Sequence, residues 1–374
     1  MKILILSCNT GGGHNSAAKA IKEALEERHQ ICDIMDVLAF GSQTASDLVC
    51  DAYIEMVKNT PKLFGELYKM GNKIGQFNQK NSRIRSPIYL INKIYADSLT
   101  DYINKNNYDA VICVHIFAAE AMTSLKKHHK TTVPFYFVAT DYYCCPMLEE
   151  TTPNAIFISH KDSIFSFINH GIDKKLLIPV GIPVSKKFLV KKDKTEARSQ
   201  FGLKQEDEVF LLMSGSMGFG DLIETTRYIF ENGNNNTKVI AITGNNQDLY
   251  NEFEKAFEHE ERLILVGFTD KVSDYMDASD VLLTKPGGLS SSEALAKGIA
   301  IVHTSPIPGC ESENVQFFSE HHLSICAQEP QDAGRLAVKL MQDKFLRDQL
   351  LAAQDNYRPQ NSAKKIAEYV EGLR

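Results

Sequence analysis

The sequence predicts an α/β protein of two doubly wound domains facing each other across a cleft, and three observations predict it. Short β-branched runs alternate with amphipathic stretches along most of the 374 residues, the pattern of parallel strands covered by helices. A polar, Lys-rich stretch from Ser185 to Arg198 interrupts this pattern, which restarts at Val209. Each half opens with a strand, a glycine-rich turn and a helix: Ser7-Cys-Asn-Thr-Gly-Gly-Gly-His14 in the first, Ser214-Gly-Ser-Met-Gly-Phe-Gly220 in the second. Ligands of such sheets gather at the carboxyl ends of the strands, which here means the cleft.

The elements follow in order. Lys2–Ser7 reads as the first strand, because its apolar run is too short for a signal peptide. Ser16–Glu27 carries helical spacing, and strands follow at Ile31–Val37, Ala110–Val114, Phe135–Val138, Ala155–Ile158 and Leu176–Val180. Phe117–His128 is a second helical pattern. In the second half, strands are expected at Val209–Met213, Lys238–Thr243, Leu263–Val266, Val281–Thr284, Ile299–His303 and Leu323–Cys326. The expected division is residues 1–185, a linker over 186–198, a second domain over 199–355, and a C-terminal helix in 356–374 that packs back on the first domain.

Composition narrows the function. The formal charge of −6 argues against a protein that coats nucleic acid, so no nucleic-acid partner is expected. No apolar run reaches the roughly 18 residues of a membrane span. Among the eight cysteines there is no Cys-x-x-Cys pair, and several sit inside apolar strands as small hydrophobes, which suits a reducing cytoplasm. Neither His-x-x-x-His nor Asp-x-Asp occurs, so no metal and no cofactor is implied.

The segment 58–93 breaks the pattern. Lys58, Lys62, Lys69, Lys73, Lys80, Arg83, Arg85 and Lys93 face a single acid, Glu66, which gives +7 locally and leaves −13 on the rest. Phe64, Leu67, Tyr68, Met70, Ile74, Phe77, Ile84, Tyr89 and Leu90 are interleaved. Basic residues mixed with aromatic and aliphatic ones suit a segment lying on an anionic membrane, where each cation contributes about 1 kcal/mol. Lys62, Phe64, Lys69, Lys73, Phe77, Lys80, Arg83 and Arg85 are the candidate contacts. A solvated helical insertion and a nucleic-acid patch are the other readings.

Three glycine-rich stretches carry the candidate chemistry. In Thr10-Gly-Gly-Gly-His-Asn-Ser16, Gly12 and Gly13 permit close approach of a ligand and leave helix N–H groups open, though the stretch is no Gly-x-Gly-x-x-Gly fingerprint. His14 beside it suits general-base work near neutral pH, or is a plain first-turn surface residue. In Thr284-Lys-Pro-Gly-Gly-Leu-Ser-Ser-Ser-Glu293, Lys285, Gly287, Gly288 and Ser290 would complement a diphosphate. Glu293 reads either as an acceptor for a ribose diol or, in Ser-x-x-Glu, as half of a capping box. Ser214–Gly220 is a further anion loop, and Gly267-Phe-Thr269 follows a strand where backbone groups could read a flat base. In Pro306-Ile-Pro-Gly-Cys-Glu-Ser-Glu-Asn314, Gly309 fixes the loop, and Glu311, Glu313 and Asn314 suit sugar hydroxyls or simply a helix start.

The ordered set of Gly-Gly-Gly-His-Asn-Ser, Thr140-Asp141, Pro179-Val-Gly-Ile-Pro183, Gly267-Phe, Thr-Lys-Pro-Gly-Gly and Pro-Ile-Pro-Gly-x-Glu-x-Glu-Asn resembles the bacterial diacylglycerol glucosyltransferases and plant monogalactosyldiacylglycerol synthases. It is more distantly similar to the lipid II N-acetylglucosaminyltransferase. The resemblance runs from residue 1 to about 320. It implies a B-type glycosyltransferase (GT-B) fold of two Rossmann-like domains, an N-terminal acceptor and membrane domain, and a C-terminal UDP-sugar domain. It further implies inverting, metal-independent transfer of a hexose, glucose favoured over galactose, to diacylglycerol at the inner face of the cell membrane.

By the same resemblance His14 is the base and Asp141 lies on the acceptor side. Ser214, Gly215 and Gly218 meet the donor phosphates, and Gly267 and Phe268 the uracil. Lys285, Gly287, Gly288 and Ser290 cradle the diphosphate, and Glu293 takes the ribose. Glu311, Glu313 and Asn314 fall where the family holds the hexose. Position 310 is Cys where the family usually has Gln, and a thiol is a poor partner for a hydroxyl, which leaves the donor sugar open. The alternatives are an N-acetylglucosamine transferase acting on a polyprenyl-linked precursor, a UDP-sugar epimerase, and an inactive UDP-sugar sensor. Oligomeric state is not legible.

Overall fold

The computed structural model describes residues 1–9, 12–41, 96–213, 222–304, 306, 309–329 and 331–372. These fall into two units. The first comprises Met1–Ser185, Ile307–Cys310 and Pro359–Arg374; the second comprises Lys186–Pro306 and Glu311–Arg358.

In the first unit β1 (Lys2–Ser7), α1 (Gly12–Glu26), β2 (Ile31–Asp36), α2 (Ala96–Asn106), β3 (Ala110–Cys113), α3 (Ile116–Lys127), β4 (Phe135–Val138), β5 (Ala155–Ile158), α4 (Ile164–Asn169) and β6 (Leu177–Pro179) form a parallel sheet in the order β2-β1-β3-β4-β5-β6. Strand period decides the faces. Leu4 and Leu6 pack with Leu99, Ile103, Met122 and Leu125 of α2 and α3 on one face. Ile3 and Ile5 pack with Ala18, Ile21 and Leu25 of α1 on the other. Cys8, Cys32, Cys113 and Cys144 are buried in these cores, where burial pushes the Cys113 thiol well above its usual value.

The second unit contains α5 (Lys186–Leu189), α6 (Lys194–Ser199), β7 (Glu208–Met213), α7 (Leu222–Asn232), β8 (Thr237–Ile242), α8 (Gln247–Ala256), β9 (Leu263–Val266), α9 (Val272–Ala278), β10 (Val281–Thr284), α10 (Gly288–Lys297), β11 (Ala300–His303), α11 (Cys310–Glu320), β12 (Ile325–Cys326), α12 (Asp332–Gln342) and α13 (Lys344–Gln354). Its sheet is also parallel, in the order β12-β11-β10-β7-β8-β9. The chain ends in α14 (Ser362–Glu371), which belongs to the first unit. There Ile366, Ala367 and Val370 join the core under α1, and Arg28 pairs with Glu371 at 2.6 Å. Gly181, at φ +97°, is where β6 turns beneath this helix; a Cβ there would strike Ser362. The Pro179–Pro183 motif therefore shapes the seat of the last helix.

Two parallel doubly wound sheets are thus present. The stretch expected as a linker carries α5 and most of α6, and Arg198 is buried with its guanidinium on Asp280 at 2.8 Å and on the Ala278 carbonyl at 3.1 Å. A fixed fork of donors needs acceptors when buried, and these lie 80 residues on in the chain, out of reach of local pattern reading. The first helix begins at Gly12 rather than Ser16. Glycine's helical penalty of about 1 kcal/mol is overridden by the packing of Ala17, Ala18 and Ile21 on the sheet.

Lys297, at the end of α10, is buried with its Nζ 2.5 Å from Asp277 and 2.6 Å from the Val190 carbonyl. Removing one partner of a buried pair strands the other charge. Lys297→Met is expected to cost about 3–5 kcal/mol in urea unfolding.

Candidate functional site

In each sheet the chain winds outward from its first strand in both directions, and the gap between the two strands where it reverses is where such folds bind ligands. In the first unit the reversal falls between β1 and β3; in the second, between β7 and β10. The residues that follow these four strands are therefore the ones placed for chemistry.

After β1 the turn is tied by Asn15. Its Oδ1 accepts from the Ser7 hydroxyl at 2.5 Å and its Nδ2 donates to Asn9 at 2.7 Å. His14, half-buried in the first turn of α1, lies with Nδ1 2.9 Å from the Val114 carbonyl and 3.1 Å from Thr140 Oγ1. A carbonyl only accepts, so Nδ1 carries the proton and Nε2 is the basic nitrogen. Burial lowers the His14 pKa, while the Asp141 carboxylate and the Val114 carbonyl pull it back up.

His115, directly after β3, stands edge-on to His14 with ring centroids 4.7 Å apart. Its Nδ1 accepts the Phe117 N–H at 3.2 Å and so caps α3. Burial first, and His14 second, hold its pKa well below the ordinary value. His115 is thus a neutral ring against which His14 is seated.

In the second unit α10 starts directly after β10. Gly287 is its N-cap and offers no side-chain bond, and the first helical bond runs from the Ser291 N–H to the Gly287 carbonyl. The preceding N–H groups lie outside the helical ladder, at the positive end of the helix. Lys285 pairs with the buried Glu311 carboxylate at 2.8 Å, and Asn314 Nδ2 donates to the Pro286 carbonyl at 3.0 Å. The Lys-Pro-Gly-Gly turn and the start of α11 are therefore stitched together.

Glu293 is half-buried on α10, and desolvation raises its pKa to about 8 against a smaller opposing pull from Lys187. His303 is fully buried between the Ser291 and Ser324 hydroxyls at 3.0 and 2.9 Å, and burial pushes it down to about 3. It is a neutral brace that fixes α10 from beneath.

Comparison with known proteins bears on this arrangement. The monogalactosyldiacylglycerol (MGDG) synthase family matches residues 14–184, and the glycosyltransferase family 28 C-terminal domain matches residues 209–369. A processive diacylglycerol beta-glucosyltransferase of Staphylococcus aureus (strain MRSA252) is 23% identical over 341 residues, which is 91% of this chain and 84% of the relative. The chain is a glycosyltransferase that joins a stretch matching the MGDG synthase family to a family 28 C-terminal domain.

Solved structures share the fold. Acinetobacter baumannii MurG superposes with a TM-score of 0.61 at 13% identity, over 100% of this chain and 99% of that one. S. aureus MnaA, in a co-structure with UDP, gives 0.65 at 14% identity, over 100% and 97%.

In this glycosyltransferase His14 and Asp141 are brought together electrostatically, with Gly12 and Gly13 in the first turn of α1. Gly287, Gly288, Ser290 and Glu293 share the start of α10, joined through Lys285 to Glu311, with Glu313 and Asn314 in the same α11 turns. Gly309 precedes them at φ +103°. Gly267 and Phe268 follow the edge strand β9, and the Phe268 ring is 77% exposed. The capping-box reading of Glu293 is overturned, because the N-cap is Gly287 and both Ser290 and Glu293 lie inside the helix.

Ser214, Gly215, Gly218, the Cys310 side chain, and Lys62, Phe64, Lys69, Lys73, Phe77, Lys80, Arg83 and Arg85 lie outside the described residues. Sequence reading passed over His115, His303 and Lys187. The position of His115, immediately after a strand next to β1, was the signal available for it.

Proposed function

We propose that this glycosyltransferase moves a hexose, glucose favoured over galactose, from a UDP-sugar to the hydroxyl of diacylglycerol at the inner face of the cell membrane. The observation that carries the reading is His14, whose Nδ1–H is fixed on the Val114 carbonyl so that Nε2 remains as a base. The named relative supports the acceptor and the favoured sugar.

In this reading His14 Nε2 takes the proton of the acceptor hydroxyl as its oxygen attacks the anomeric carbon. The bond to the UDP oxygen breaks on the opposite face, and the product is inverted. Asp141 stabilises the imidazolium that forms. The open N–H groups at the start of α10, with Lys285 and Ser290, stabilise the departing diphosphate. Glu293 accepts the ribose hydroxyls, Phe268 meets the uracil, and Glu311, Glu313 and Asn314 orient the hexose. The basic segment 58–93 holds the protein at the lipid surface.

Removal of Asp141 tests the pairing. Its carboxylate raises the His14 pKa, so Asp141→Asn is expected to move the acid limb of the kcat/KM profile to lower pH and to reduce kcat. An unmoved limb would separate the two residues.

The reaction itself is tested by the mass of the lipid recovered after incubation with diacylglycerol vesicles and UDP-glucose in EDTA. A lipid gaining one hexosyl group, or several, is expected. Unchanged diacylglycerol with every hexose donor would overturn the reading.

A further inference from the structure

Resting on that reading, we propose that α4 is a docking element for an anionic bilayer surface, separate from the basic segment 58–93 and placed beside the acceptor-side loop of Asp141. The helix Ile164–Asn169 presents Phe165, 73% exposed, and Ile168, 36% exposed. Single exposed hydrophobes are ordinary, but two on one short helix face are not. Phe165 and Ile168 lie three apart on the helix, which places them on one face, and Lys161 lies in the tight turn Lys161–Ser163 just before it. Phe167, on the other side of the helix, is fully buried, and Ile164 is partly buried against the same core. The exposed pair is therefore not simply misplaced core.

The charge around the pair suits a membrane. Lys161, Lys174 and Lys175 are exposed at the two ends of this stretch. Asp162, 3.2 Å from His160, and Asp173, which accepts the Lys175 backbone N–H at 3.0 Å, are exposed among them, so the stretch keeps a surplus of one lysine. Lysines flanking a pair of apolar side chains can snorkel to phosphates while the apolar tips enter the acyl boundary.

Position gives the face its use. α4 follows β5 at the carboxyl edge of the sheet, the edge that carries His14 and Thr140. Ser166 Oγ accepts the Cys144 N–H at 3.0 Å, tying the helix directly to the loop that begins at Asp141. A bilayer holding Phe165 and Ile168 would thus be presented to that loop at a fixed height, where a diacylglycerol hydroxyl emerges.

Flotation of the full chain with vesicles of phosphatidylglycerol and diacylglycerol, and with phosphatidylcholine replacing the anionic lipid, tests this. Phe165→Ser with Ile168→Ser is expected to lower the bound fraction constant about tenfold or more, the scale of two apolar side chains returned to water. Lys161→Gln with Lys174→Gln and Lys175→Gln is expected to erase most of the preference for the anionic vesicles. Both variants should keep the wild-type melting temperature, UDP affinity and transfer to diacylglycerol dispersed in detergent.

Wild-type flotation by both variants would overturn the proposal, as would wild-type protein that fails to float. Loss of self-association in sedimentation, with flotation unchanged, would assign the face to a second copy and equally overturn it. Failure of the wild type to transfer hexose in detergent, with flotation still dependent on Phe165, would sink the glycolipid reading and leave the docking face standing.

Discussion

His14→Ala is expected to lower kcat by about 10²–10⁴-fold, the range a positioned proton acceptor supplies, and to leave UDP affinity unchanged. The separation follows from where the ring sits. His14 is held by Val114 and Thr140 and faces His115, all in the first unit, whereas the open end of α10 belongs to the second. Because burial lowers the His14 pKa, the imidazole stays neutral to lower pH than a free histidine. The acid limb of the wild-type rate profile is therefore expected below the ordinary value of 6.5. An equal loss of UDP affinity would remove His14 from the role of base and make it a donor-site residue.

Glu293 should reveal itself in two opposite ways. Glu293→Ala removes two acceptors for a ribose diol, each worth about 0.5–1.5 kcal/mol, so the Kd for UDP is expected to rise about 10–100-fold. In the absence of donor the same carboxyl is a liability. Unfolded, it releases its proton near 4.5; folded, it keeps it to about 8. Between those values the unfolded state binds fewer protons, so this residue costs stability progressively as pH rises from about 4.5 to 8. Glu293→Gln cannot ionise, and the ligand-free variant is expected to melt above the wild type at pH 8 and together with it near pH 4. Equal melting at both ends would show that Glu293 ionises freely. Such a group, kept on a helix at a cost in stability, is what a site residue looks like, since a cap would have offset the cost.

Much of this was legible from local pattern. β1, β4, β5 and β10 have the bounds their β-branched and aromatic runs predict, because strands buried on both faces read as near-continuous apolar runs, and the edge strand β9 has its predicted bounds too. The glycine turns after β1 and before α10 announced themselves for the same reason: glycine where backbone must stay bare has no other use so near a strand end. Long-range polar pairing was not legible. Arg198 with Asp280, Lys285 with Glu311, and Lys297 with Asp277 are pairs whose members lie on separate elements. Periodicity says nothing of which charge meets which, so the Ser185–Arg198 stretch read as a linker.

The first-turn position of His14 was visible, but its partners were not. Val114, His115 and Thr140 come to it only because β1 lies beside β3 and β4 beside β3. The Ser-x-x-Glu spacing misled in the opposite direction. It has the form of a cap, but helix α10 already begins at Gly288, with Gly287 as its N-cap. Among the described residues no helix is long and apolar enough to cross a membrane, and the membrane reading accordingly rests on surface chemistry.

The most direct measurement is UDP release by the full chain with UDP-glucose, UDP-galactose or UDP-N-acetylglucosamine, in each case with and without diacylglycerol vesicles. Release that requires diacylglycerol and is fastest with UDP-glucose is the predicted result. Release with UDP-N-acetylglucosamine alone, or release indifferent to diacylglycerol, would contradict the account.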